Sequence, residues 1–212
     1  MKNFKSLAAM TQRIRHLGAI GLFLLLSACA GPGTGVRPMV YDFGPGPATG
    51  ATTAGGIQGP TLRIEMIDAN PALESTAMLY RLAYANSQQL QPYALARWSM
   101  TPSQLLGQRV REHLSQRYTL LRPGDKDAGA RTLRIELDEF SQLFTAPDSS
   151  VALLRLRASV TPTGTTAAAQ RSIIVQRSAP SADAPGGARA MSVATEVALQ
   201  ELDLWLQDPG RR

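Results

Sequence analysis

Thr132-Leu133-Arg134-Ile135-Glu136-Leu137-Asp138-Glu139-Phe140, followed by Val151-Ala152-Leu153-Leu154-Arg155-Leu156-Arg157-Ala158-Ser159-Val160, decides the fold of this chain. Leu133, Ile135 and Leu137 alternate with Arg134, Glu136 and Asp138, the period of a strand with one buried face. The parity slips at Glu139-Phe140, which predicts a bulge in a long strand over 132–144. In the second run Leu154, Leu156, Ala158 and Val160 face in, while Arg155 and Arg157 face out.

Working outward, Leu62, Ile64 and Met66 alternate with Arg63 and Glu65 as a further half-buried strand. Strands are also predicted over 79–84, 93–98, 118–121 and 172–176, with 86–92 as a connection. Thr101-Pro102-Ser103-Gln104 combines an N-cap, a first-position proline and a capping-box glutamine. Leu106, Val110 and Leu114 then recur every fourth residue, with Arg109, Arg111, Glu112 and Gln116 away from that stripe. This predicts an amphipathic helix over 102–117. A Pro/Gly/Ala loop is expected at 179–187 and a closing helix at 188–206, with Met191, Ala194, Val197, Ala198, Leu202 and Trp205 on one face. There is no internal repeat at solenoid periods. The expected class is α+β: two layers, a mostly antiparallel sheet with two amphipathic helices packed on one face.

The N-terminal region has a different character. Residues 17–26 form a ten-residue apolar run behind a basic segment. A spanning helix needs about 20 apolar residues, so this is read as a secretory signal over 1–28. Leu26-Ser27-Ala28-Cys29 resembles a bacterial lipobox. In such signals the cysteine thiol takes a diacylglyceryl group, the chain is cut before it, and the new amine is acylated, with palmitate the expected chain. Cys29 is the one cysteine of the 212 residues, so an internal disulfide is excluded. An ordinary signal peptide with a chance cysteine is the plainer alternative. Lys2, Lys5, Arg13 and Arg15 carry four of the six net positive charges. Processing therefore removes most of the basic character, and with it the case for nucleic-acid binding. Ala30 after the cysteine, in place of an aspartate, resembles lipoproteins sorted to the outer membrane. Residues 31–60 hold nine glycines and five prolines. They are read with Cys29 as a tether, 29–60, with a mean reach of roughly 30 Å. Gly31-Pro32-Gly33-Thr34-Gly35 lacks the strand and helix of a phosphate loop. The tether is interrupted at 39–43, read as a short edge strand or a clasp. The folded domain is expected at 61–207, with a tail at 208–212.

Candidate chemistry is sparse. Apart from His16 in the signal, His113 is the one histidine, with no nucleophile motif to serve it, and a rim position on the helix is the plainer reading. Metal ligands in a recognisable spacing are missing, and no cofactor is implied. Asp138 and Glu139 are neighbours, which a regular strand points to opposite faces, and Glu201 and Asp203 do not share a helix face. Arg155 and Arg157 form a basic stripe, with Arg171 and Arg177 expected near it. This suits anionic lipid head groups, an acidic partner or plain solvation. Tyr80, Tyr84, Tyr93 and Trp98 are read either as packing or as an interface.

The order of several short motifs carries a resemblance. They are Tyr41-Asp42-Phe43-Gly44, Tyr80-Arg81-Leu82-x-Tyr84, Leu90-x-x-Tyr93, Arg97-Trp98, Pro102-x-x-Leu105-Leu106 and Leu137-Asp138-Glu139-Phe140-x-x-x-Phe144. Together with the lipobox they resemble the ABC-type transport auxiliary lipoproteins, the group that includes paraquat-inducible protein C, over about residues 39–206. The resemblance implies a non-enzymatic auxiliary component of a lipid transport system of the bacterial envelope. The expected partner is a protein with MCE (mammalian cell entry) domains. The expected place is the periplasmic face of the outer membrane, held by the acyl chains. Tyr80, Arg81, Tyr84, Arg97 and Trp98 are the candidate partner interface. Homo-oligomerisation stays open. Two rivals remain: a lipoprotein assisting lipopolysaccharide assembly or cell-wall synthesis, and an envelope hydrolase using Glu139 or His113.

Overall fold

The structure, a computed structural model, describes residues 36–46, 59–122, 124, 125 and 129–209. Leu26, Ser27, Ala28 and Cys29, and most of the stretch read as a tether, lie outside the described residues. One sheet contains β1 (Met39–Tyr41), β2 (Thr61–Ile64), β3 (Asp68–Ala69), β4 (Ala77–Leu82), β5 (Ser87–Trp98), β6 (Thr119–Leu120), β7 (Arg131–Ala146), β8 (Ser149–Thr161) and β9 (Ala169–Ser178). The helices are a single turn α1 (Ala83–Asn86), α2 (Pro102–Leu114) and α3 (Ala184–Gln207).

β7 is the axis of the sheet. One edge pairs antiparallel with β8 from Thr132–Thr161 to Ala146–Ser149, and β8 pairs antiparallel with β9. The other edge takes β2, β3 and β4 in succession, all parallel. β5 returns antiparallel on β4, and β1 lies parallel on β5. The long pairings are thus antiparallel, and short parallel strands complete a two-layer α+β fold. The predicted bulge falls between Leu137 and Glu139. After it the buried positions of β7 shift from Leu133, Ile135 and Leu137 to Phe140, Gln142 and Phe144. Ala152, Leu154, Leu156 and Ala158 on β8 are fully buried, and with Ile173 and Val175 on β9 they form the floor on which α3 lies.

α2 begins with the full capping box of Thr101 and Gln104 and ends at Leu114, three residues before the expected end. The α3 start corrects the sequence reading. The helix begins at Ala184, inside the stretch expected as a loop. Asp183 is its N-cap, and its carboxylate accepts from the Gly186 N–H (2.7 Å) and the Ser181 hydroxyl (2.6 Å). Pro185 falls in the first turn, where no donor is needed. Gly186 and Gly187 look like helix breakers, but close approach requires them. A Cβ at Gly186 would overlap the Ser181 carbonyl, and one at Gly187 the Gln142 side chain. Gln142 is buried beneath this turn. Its Nε2 donates to Ser150 Oγ (2.7 Å) and to the Asp183 carbonyl (3.1 Å), and its Oε1 accepts from the Tyr93 hydroxyl (2.9 Å). Burial, with Tyr80 adding to it, pushes the Tyr93 hydroxyl up, so it stays a donor. The connection expected at 86–92 is also corrected. The turn is made by α1, and those residues belong to β5 apart from Asn86.

Gly187→Ala should therefore destabilise the fold by about 1–3 kcal/mol through overpacking, lowering the thermal midpoint by several degrees in a calorimetric scan. Asp183 offers a second check. The Ser181 hydroxyl and Gly186 N–H hold its carboxyl below the usual range. Its contribution is full above the unfolded value of about pH 4 and is lost as pH falls through the lowered value. In urea titrations, Asp183→Asn should flatten that acid-side loss.

Candidate functional site

The segment Tyr41-Asp42-Phe43-Gly44 is part of the body. β1 pairs Met39 with Ala96 and Tyr41 with Trp98, and the Ser99 N–H donates to the Tyr41 carbonyl (2.8 Å). The Asp42 carboxylate accepts from the Gly44 N–H (2.7 Å), closing a turn in which Gly44 has φ +67°. Phe43 then drops into the core, with ring centroids 6.0 Å from Trp98 and 6.1 Å from Phe140. The sheet thus takes up residues well ahead of 61, the expected domain start, because Phe43 fills a socket that the rest of the core leaves open.

Arg109 seals this clasp. It was expected on the solvent side of α2, and the structure corrects this: the residue is 5% exposed. Its Nη2 donates to the carbonyls of Phe43 (2.8 Å) and Gly44 (2.9 Å), and its Nη1 to Glu112 (3.0 Å). Glu196 of α3 lies 3.9 Å from its Nε, and the guanidinium carbon sits 5.9 Å from the Phe43 ring centroid. The overlying clasp turns a solvent position into a buried one. A small cleft lined by Asp42, Phe43, Ser99, Met100, Leu105 and Arg109 lies beside it.

The five candidate interface residues do not form one patch. Trp98 is 2% exposed beneath Phe43, so its ring presents no surface. Tyr80 is half-buried on the helix side, 4.6 Å from the Tyr93 ring, and donates to Gln91 (3.0 Å). Arg81 is on the open side of the sheet, bonded to Glu139 (3.2 Å). Tyr84 on α1 and Arg97 on β5 are exposed.

The carboxylates are arranged differently from expectation as well. The bulge puts Asp138 and Glu139 on the same open side, where Asp138 faces Arg157 (3.7 Å) and Glu139 faces Arg81. Each is held by its own arginine, and His113 sits on α2. Arg157 is also bonded to Glu136 (3.1 Å). Arg171 and Arg177 leave the expected stripe: they pair with Ala158 and Ala152, inward positions of β8, so they share the helix side of the sheet. Asp203 is bonded to Arg117 (3.1 Å). Among the described residues no three His, Cys, Asp or Glu side chains converge as metal ligands, and no helix is long and apolar enough to cross a membrane.

Comparison with known proteins places this arrangement. The family model for the ABC-type transport auxiliary lipoprotein component matches residues 41–202, from the clasp to the last turns of α3. The chain belongs to that family. Membership makes it an auxiliary component of an ABC-type transport system, and the lipoprotein character of the family implies association with an envelope membrane. No curated protein matches the chain. A crystal structure of a Xanthomonas campestris protein of family DUF330 is similar at TM-score 0.66 and 20% identity, covering 81% of this chain and 96% of that one. A second crystal structure, of an uncharacterized protein, is similar at TM-score 0.60 and 11% identity, covering 81% and 98%. Both likenesses concern the fold alone.

Phe43→Ala should cost about 3–5 kcal/mol, as expected for emptying a buried aromatic site. Arg109→Met, which leaves the buried Phe43 carbonyl without its donor and removes a part-buried bond to Gly44, should cost about 1–3 kcal/mol. Urea unfolding followed by the emission of Trp98 and Trp205 measures both. Because the two residues share one clasp, the double variant should lose clearly less than the sum.

Proposed function

We propose that this auxiliary component is a non-catalytic adaptor, anchored by acylated Cys29 at the periplasmic face of the outer membrane, that docks to the MCE component of a lipid transporter. The family match over residues 41–202 carries the reading. The chemistry of the body supports it. Of the acidic groups weighed as catalytic, Asp138, Glu139 and Asp203 are each engaged by an arginine. The anchor is supported by the lipobox at 26–29 and by chain length. Ten residue steps separate Cys29 from Met39, a span of at most about 35 Å. This is a shorter leash than a tether running to residue 60 implies. Confinement of that kind raises the effective concentration of the body for a membrane-bound partner. Docking is assigned to the end of the sheet carrying Arg81 and Tyr84, the members of the aromatic–basic set that stay accessible there.

Cys29→Ser should move the folded protein from the membrane to the soluble fraction with an unchanged unfolding midpoint. A variant that stays with the membrane would sink the anchor. A photo-crosslinking residue at Tyr84 should capture an MCE-domain protein. Capture of an outer-membrane barrel or a penicillin-binding protein would favour lipopolysaccharide or cell-wall assembly instead.

A further inference from the structure

We propose that the free edge of the sheet at β1 rests on the bilayer: Met39, Val40 and Leu95 enter the headgroup layer and Arg97 contacts anionic lipid. This rests on the anchored reading above and adds an orientation to it.

Three observations carry it. First, exposed apolar side chains gather there. Met39 is 53% exposed, Val40 52% and Leu95 49%. Met39 pairs with Ala96 and Val40 with Arg97, so Val40 and Leu95 share the open side of the sheet while Met39 flanks the same edge from the helix side. Other exposed large apolar groups among the described residues after β1 are dispersed: Met66 beside β3, Tyr84 on α1, Ile174 on β9, Val193 and Leu204 three turns apart on α3. Scattered residues of that kind are ordinary on a surface, whereas a cluster is a contact signal. Second, this edge is basic relative to the β2–β3 end of the open side, even with exposed Asp42 following β1. Arg97 is exposed and has no carboxylate partner among the described residues, and Arg37 precedes β1 in sequence. Toward β2 and β3 the open side instead carries Glu65, Asp68, Glu136 and Asp138 around Arg134 and Arg157. An anionic surface repels that region and attracts the β1 edge. Third, β1 is where the chain leading from residue 29 enters the sheet, so any pull from an anchor at Cys29 reaches the body at this edge first.

The arrangement also leaves Arg81 and Tyr84 clear for a partner. β1 has no strand on its outer side among the described residues, and it is short, as exposed edges often are.

The test uses the mature acylated protein on vesicles. Because acylation consumes Cys29, a thiol introduced by Leu95→Cys is unique and takes an environment-sensitive fluorophore. On vesicles of phosphatidylcholine with phosphatidylglycerol, emission should shift to the blue and be quenched by a lipid-borne quencher. The same label at Ser172→Cys on β9 should show neither effect. Each arginine near an anionic surface is worth about fivefold in binding, so Arg97→Glu should reduce the quenched population fivefold or more. Equal quenching at both positions, or quenching at Leu95→Cys indifferent to phosphatidylglycerol and to Arg97→Glu, would overturn the proposal. Protection of the label only when a protein partner is added would overturn it as well. Whole-protein mass spectrometry of the same sample separates this failure from that of the anchor. If the acyl mass is missing, sedimentation of the unacylated chain with phosphatidylglycerol vesicles decides the surface by itself, binding supporting it and no binding rejecting it.

Discussion

The backbone groups on both edges of β7 have to find partners, and the way they do so shapes the molecule. Buried N–H and C=O groups are almost always paired. On one side a single long strand, β8, satisfies them. On the other, three short strands share the task, each placed by a different turn of the chain. The bulge near Asp138 lets one strand serve both halves, because it moves the buried parity from odd to even positions. Without that extra residue, either Leu133 and its neighbours or Phe140 and Phe144 would face solvent. α3 and the clasp both depend on the outcome, since Gln142 holds the helix start and Phe140 receives Phe43.

Much of this could be read from residues. Alternation of Leu, Ile and Val with Arg and Glu marks β7 and β8, because period two has one physical reading when both partners alternate. The capping box marks the start of α2 for a similarly local reason. What escaped the sequence was non-local. Pro185, Gly186 and Gly187 suggest a loop by propensity, yet the space left by Ser181 and Gln142 decides in favour of a helix. Arg109 reads as solvated until a segment more than sixty residues away covers it. Trp98 could be read either as packing or as interface, and its place as the floor of the clasp decides for packing, a difference of burial that no spacing of residues encodes.

The same contrast explains how little reactive chemistry the candidate site offers. Asp138, Glu139, Arg81 and Arg157 neutralise one another across neighbouring strands, and the exposed pairs of Arg157 contribute little to stability. Shape and placement are what the fold maintains at more expense, through a buried arginine, a buried glutamine and two glycines under steric constraint.

The parallel pairing of β1 on β5 has a mechanical side. A pull on the chain ahead of Met39 runs along the strand axis, so its hydrogen bonds bear the load in shear and must give way together. Behind them Phe43 sits like a barb, fixed by the guanidinium of Arg109. A body pulled from that side would therefore resist being unravelled from its N-terminal end.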